Sequence, residues 1–125
     1  MMKITELPKN VRVHPNVWRA IKEIKILDNE KAVKIVQRIA GLGLDPLPVS
    51  GDCKSKTITS LRKKGIFVKR LKCLDILDYR IFYAYRDSGM VCVYCVVSRN
   101  DDTYNENAWH YQMVKLLYTH WRECQ

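Results

Sequence analysis

Two strand-like segments lie almost end to end, Tyr79-Arg80-Ile81-Phe82-Tyr83-Ala84-Tyr85-Arg86 and Met90-Val91-Cys92-Val93-Tyr94-Cys95-Val96-Val97-Ser98, with only Asp87-Ser88-Gly89 between them. Their β-branched and aromatic content predicts a hairpin. Neither segment alternates cleanly between apolar and polar residues. Both faces are largely apolar, so the pair belongs at the centre of a sheet with covering layers on both sides.

The rest of the chain supplies those layers. Val11-Arg12-Val13 reads as a short edge strand and His14-Pro15-Asn16 as a turn, with Asn16 as a helix N-cap. Val17, Ala20, Ile21, Ile24 and Leu27 repeat at helix spacing. Asp28-Asn29 interrupts them and can cap a second helix from Glu30, whose buried face comprises Val33, Ile35, Val36, Ile39, Ala40 and Leu42. Gly41 and Gly43 fall where that helix should stop. Residues 44–57, with Pro46, Pro48 and Gly51, read as a long loop. Residues 58–61 are ambiguous between strand and turn, and 67–72 read as a strand with basic edges. After a polar stretch, Ala108 opens a helix carrying Trp109, Met113, Leu116, Leu117, Tyr118 and Trp121. Trp18, Trp109 and Trp121 read as core anchors. Residues 1–10 are polar, broken by Pro8, and expected to be loosely held. The expected architecture is one α+β domain over residues 1–125: an N-terminal helical hairpin on a mostly antiparallel twisted sheet, with a C-terminal helix.

The hairpin register decides how two unusual arginines relate. With Ser88-Gly89 as a two-residue turn, Asp87 pairs with Met90 and Arg80 faces Val97. Arg99 is then its same-face diagonal neighbour. If Asp87, Ser88 and Gly89 all form the loop, the parity flips and the two arginines separate. The first register is expected. It brings two guanidiniums together, which repel unless an anion lies between them.

Charge points to the same chemistry. The formal net charge is +9, with 47% hydrophobic residues, enough for a packed core. Residues 54–72 carry eight basic side chains and no acidic ones. One-signed stretches of that length suit a polyanionic partner. No apolar run approaches the ~20 residues of a membrane helix, and the first residues lack the apolar core of a signal peptide. A cytoplasmic location is therefore expected. The five cysteines, Cys53, Cys73, Cys92, Cys95 and Cys124, are odd in number and scattered. They read as buried thiols rather than a disulfide framework. Cys92 and Cys95 match a CxxC spacing, but three positions apart in a strand they should point to opposite faces. No metal site is expected.

Lys69-Arg70-Leu71, the Tyr79-Arg80-Ile81-Phe82-Tyr83 strand, the apolar strand ending at Arg99, and Tyr104 together resemble the RelE branch of the RelE/ParE toxin superfamily. The helical hairpin before them and the helix after Tyr104 fit as well. The likeness covers roughly residues 11 to 120. It implies a small basic toxin of a type II toxin–antitoxin system, held by a cognate antitoxin. Such toxins enter the ribosomal A site and cut mRNA as metal-independent endoribonucleases, with no cofactor. The ribose 2′-hydroxyl attacks the adjacent phosphate, leaving a cyclic phosphate and a 5′-hydroxyl.

By that resemblance Arg80, Arg99 and Tyr104 are the catalytic set. Arginine suits a pentavalent phosphate because its fork matches two oxygens and stays charged. Tyr104 is a general base or a stacking platform. As a base it needs nearby cations to lower its pKa, and Lys69 and Arg70 could supply them. Lys63, Lys64, Lys69, Arg70 and Lys72 are the expected RNA contacts. His110 is a weaker candidate acid, with a place on a polar helix face as the alternative. Two other functions share the fold: a ParE-like gyrase-inhibiting toxin, and a non-catalytic RNA- or ribosome-binding protein.

Overall fold

The computed structural model describes residues 7–100, 105 and 108–125. Strand β1 (Val11–Val13) leads into helices α1 (Pro15–Leu27) and α2 (Asn29–Gly41). Strand β2 (Cys53–Thr57) and the short helix α3 (Thr59–Arg62) follow. Then come β3 (Lys69–Cys73), a 3-10 turn (Leu74–Ile76), β4 (Tyr79–Tyr85), β5 (Val91–Ser98) and α4 (Trp109–His120). The five strands form one sheet in the order β1-β5-β4-β3-β2. All pairings are antiparallel except β1 with β5. The chain is thus α+β with a mixed five-stranded sheet, and β4 and β5 lie inside it as their two apolar faces require.

Each face has its own core. Val17, Ile21 and Ile24 of α1 and Ala32, Ile35 and Ile39 of α2 pack on Leu71, Ile81, Tyr83, Val91, Val93 and Val96. On the other face Tyr111 and Val114 of α4 pack with Ile58, Leu61, Val68, Phe82, Ala84, Cys92, Tyr94 and Cys95. Phe82 and Tyr111 meet edge to face with centroids 5.7 Å apart.

The helix spacing located the elements better than their faces. Leu27 is exposed at the last position of α1. In α2 the buried stripe runs through Ala32 rather than Val33. In α4 it runs through His110, Tyr111 and Val114, leaving Trp109 66% exposed instead of anchoring a core. The α1 cap is also displaced from Asn16. His14 is the N-cap, and its Nδ1 accepts the Asn16 backbone N–H at 3.2 Å. Asp28 serves both helices: its N–H closes α1 on the Ile24 carbonyl, while its carboxylate accepts the Lys31 N–H and opens α2.

Residues 7–10, expected to be loose, are held against the end of α2. Asn10 Nδ2 donates to the Gly43 carbonyl at 3.0 Å. A Cβ at Gly43 would sit 2.8 Å from Pro8 Cβ and Cγ, so only glycine permits this approach.

Two expectations fail in the segment 53–57 and among the cysteines. Residues 53–57 are a strand, not loop. The cysteines are not all thiols: Cys53 pairs with Cys73 across β2 and β3, and Cys92 with Cys124. Contacts made only in the folded chain brought them together. Cys95 remains a buried thiol whose pKa burial drives upward. No described helix is long and apolar enough to cross a membrane.

His14 gives the fold a pH signature. Burial, then the nearby Arg19, lower its pKa from 6.5 against a smaller opposing effect of Glu123. The neutral ring is the form that can accept the cap hydrogen bond. The stability it contributes is therefore complete above the unfolded-state pKa of 6.5 and lost as pH falls through the lower folded-state value. Chemical denaturation between about pH 7.5 and 5 should show the wild type losing stability more steeply than His14→Asn, which keeps a cap that does not titrate.

Candidate nucleic-acid interface

The ladder between β4 and β5 fixes where the cations point. Near the turn, Arg86 N–H donates to the Met90 carbonyl at 2.8 Å, and Tyr85 pairs with Val91. Asp87, Ser88 and Gly89 therefore all belong to the loop, with Gly89 at φ 88°. This is the turn expected to separate Arg80 from Arg99. The strands then correct it: Phe82 pairs with Cys95 but Tyr83 with Val93, leaving Tyr94 as an extra residue. The bulge restores the pairing of Arg80 with Val97. It also puts Cys92 and Cys95 on one face, where opposite faces were expected. Arg99 N–H donates to the Asp78 carbonyl at 2.8 Å, so the ladder runs one step beyond β5. The register thus assigns Arg99 to the Arg80 side.

Arg80 itself is turned inward. It is 3% exposed, and its Nη1 donates to the carbonyls of Leu77 at 2.7 Å and Tyr79 at 2.9 Å. Among the described residues no carboxylate forms an ion pair with it. Its charge is held by backbone dipoles beneath the α4 face, and no described cavity is lined by it. Arg99 is exposed. Tyr104 lies outside the described residues.

The open cations gather one strand further out. Arg70 pairs with Phe82, so it and Lys72, two positions on, share the α4 face. Lys54 stands opposite Lys72, and Lys56 opposite Arg70. Lys63 and Lys64 follow the end of α3 on the same side. With Arg70, Tyr111, Thr57, Thr59 and Ser60 they line a cavity of about 660 Å³. Arg70 Nη1 approaches the Tyr111 hydroxyl at 3.5 Å.

Lys69 lies apart from the other expected contacts. Pairing with Tyr83 sends it to the opposite face from Arg70, where its Nζ donates to Thr57 Oγ1 at 2.6 Å. It pins β2 rather than joining the cluster. His110 is buried at the start of α4, with its ring 5.3 Å from that of Phe82, instead of lying on a polar helix face.

Two like-charged pairs directly opposite each other on neighbouring strands destabilise a sheet on their own. The ion pairs among the described residues lie elsewhere. Asp75 and Asp52 pair with Arg38, Asp78 with Lys31 and Glu30 with Lys34, all on the α2 side. The Lys31 ammonium holds the Asp78 carboxyl below its ordinary pKa. Among the described residues no ion pair involves Lys54, Lys56, Lys63, Lys64 or Lys72. Lys54 and Lys56 were not among the contacts expected from the sequence. The signal for them was the alternation in Lys54-Ser55-Lys56-Thr57, a charged edge strand with no apolar residue to announce it.

A larger cavity, about 730 Å³, lies between α1 and the start of α4, lined among others by Arg19, Glu23, Val97, Asn100, Trp109 and His110. It carries both signs of charge and lacks the one-signed character of the β2–β3–α3 face. Among the described residues no group of three or more His, Cys, Asp or Glu could hold a metal. Comparison with known proteins finds no matching family model, no matching curated protein and no matching solved structure.

The burial of Arg80 has a measurable consequence. Arg80→Met removes both hydrogen bonds to the Leu77 and Tyr79 carbonyls and should lower unfolding free energy by about 2 kcal/mol or more. Denaturant titration of the variant checks this. A wild-type midpoint would show that the guanidinium has no structural role.

Proposed function

We propose that this protein is an RNA-binding toxin of the RelE type, which grips the phosphate backbone of mRNA on the ribosome with its β2–β3–α3 face and cleaves it. The observation that carries the reading is the apposition of Lys54 with Lys72 and Lys56 with Arg70, extended by Lys63 and Lys64, on a surface whose lysines have no described carboxylate partner. A polyanion removes the repulsion that this arrangement creates. The helical hairpin, the central Tyr-Arg strand and the helix over the opposite face are the arrangement the family resemblance implies, and they support the same reading.

In this proposal Arg70 stabilises the charge on the phosphate as the 2′-hydroxyl attacks, and Arg99 keeps the phosphate-binding role that the resemblance implies. Arg80 contributes positive potential from below the surface and holds the strand end in place. Tyr104 keeps the role of base or stacking platform that the resemblance implies. Tyr111, beside Arg70 in the cavity, is a further hydroxyl within the reach of a bound phosphate. A ribosomal target implies a cytoplasmic protein. A cognate antitoxin with an acidic segment would neutralise the cationic face by the same complementarity.

Binding and cleavage are tested separately. For single-stranded RNA the salt slope falls by ~0.7 for each phosphate that is no longer neutralised. Lys54→Ala with Lys72→Ala should reduce it by about 1.4 across RNA sequences. An unchanged slope would remove the face from the interface. For the chemistry, primer extension on translated mRNA should reveal discrete cuts that disappear in Arg70→Ala and Arg99→Ala. RNA bound but never cut would leave the non-catalytic binding reading. Intact mRNA with double-strand breaks in DNA would favour the gyrase-directed one.

A further inference from the structure

Beyond its backbone ladder with β3, the strand that carries Lys54 and Lys56 has little to hold it in the sheet. β2 is the edge of the order β1-β5-β4-β3-β2. Its sequence, Cys-Lys-Ser-Lys-Thr, has no large apolar side chain. On one face its lysines confront Lys72 and Arg70. On the other, Ser55 Oγ bonds the Tyr83 hydroxyl at 2.8 Å and Thr57 accepts from Lys69 at 2.6 Å. The remaining anchor is covalent. Cys53 and Cys73 are directly opposite in the register, 4.2 Å apart at Cα, and joined as a disulfide.

The two bridges of the chain differ in setting. Cys92 and Cys124 are both buried in the core beneath α4. Cys73 is buried too, but Cys53 at the sheet edge is only partly buried. Cys53 also lines a surface cavity of about 190 Å³ with Gln37, Arg38 and Asp45, which gives a thiol from solvent a route to this bridge.

We propose that the Cys53–Cys73 disulfide is a redox gate on the cationic face. Oxidised, it clamps β2 to β3 and sets the four strand cations in their facing pairs. Reduced, it frees β2, whose like-charge pairs then drive it from the edge and scatter the cluster. The inference rests on the RNA-binding reading above for its functional consequence. The chemistry needs a dithiol of the thioredoxin or dithiothreitol class. Its thiolate attacks Cys53 Sγ, the S–S bond breaks, and Cys73 leaves as a thiolate that takes a proton. The second thiol then displaces Cys53 from the mixed disulfide. The protein gains two electrons and two protons, and the dithiol becomes a disulfide. In a compartment rich in reduced dithiols the cationic face would come apart, and oxidising conditions would assemble it.

Two readouts on the full chain test the gate. The first is binding of a fluorescein-labelled oligouridylate at low salt, with and without dithiothreitol. The second is hydrogen exchange, by mass spectrometry, of the amides of residues 53–57 against those of β4 and β5. Reduction should weaken RNA binding at least tenfold and release the 53–57 amides, while β4 and β5 stay protected and so report an intact fold. Cys53→Ser should behave as the reduced protein and ignore dithiothreitol. Cys92→Ser with Cys124→Ser should still respond. Unchanged protection of residues 53–57 on reduction would overturn the gate. Release of those amides in a protein whose oxidised form does not bind RNA would instead overturn the RNA reading and leave the gate standing.

Discussion

The pairing of β4 with β5 is the constraint to which the other elements of this fold must conform. Both strands are buried on both faces, so their alternation decides which residues feed the α1–α2 core and which feed the α4 core. A three-residue loop at Asp87–Gly89 would by itself place Arg80 opposite Val96 and, beyond Tyr94, would exchange the faces of β5, turning Val97 and Arg99 to the α1 side and away from Arg80. The bulge at Tyr94 absorbs one residue and reverses the parity halfway along the ladder. Tyr94 and Cys95 then both face α4, while Val93 and Val96 both face the helical hairpin. One extra residue thus reconciles a glycine-bearing turn with two apolar faces.

From that centre the charge pattern follows outward. β3 inherits its facing from β4, which sends Arg70 and Lys72 to the α4 side and Lys69 away from it. β2 inherits its facing from β3, which sets lysine against lysine and lysine against arginine. The helix α4 covers β5 and β4 on this side, and the four strand cations lie toward the β2 edge, with Lys54, Lys56 and Lys72 exposed. The acids that form ion pairs among the described residues are drawn to the opposite layer by Arg38, Lys31 and Lys34. The edge strand is held by its backbone ladder with β3, a disulfide and two side-chain hydrogen bonds rather than by apolar packing.

The two arginines that stand out in the sequence have different fates. Arg99 ends the ladder in solvent. Arg80 lies three residues from Leu77 and next to Tyr79, whose carbonyls turn toward it where the chain enters β4 after the 3-10 turn. A buried guanidinium without a carboxylate still projects a field, because the backbone dipoles that solvate it do not cancel its net charge. In the proposed RNA interface its contribution is then one of potential, with direct contact assigned to Arg70 and the lysines around it.

Local pattern was enough to locate the three long helices, the central hairpin and its covering layers, and the positive character of residues 54–72, but not the short α3, whose start read as strand or turn. These depend on periodicity, turn residues and composition, which are properties of neighbouring positions. The same pattern did not reveal β2, because an edge strand of lysine, serine and threonine lacks an apolar period. Nor did it reveal the two disulfides, the inward turn of Arg80 or the separation of Lys69 from Arg70. Each of those emerged only on folding, since each depends on which residues meet across strands. A shift of one residue at Tyr94 exchanges the two faces of every position beyond it, and that shift is stabilised only by the two cores that close around it.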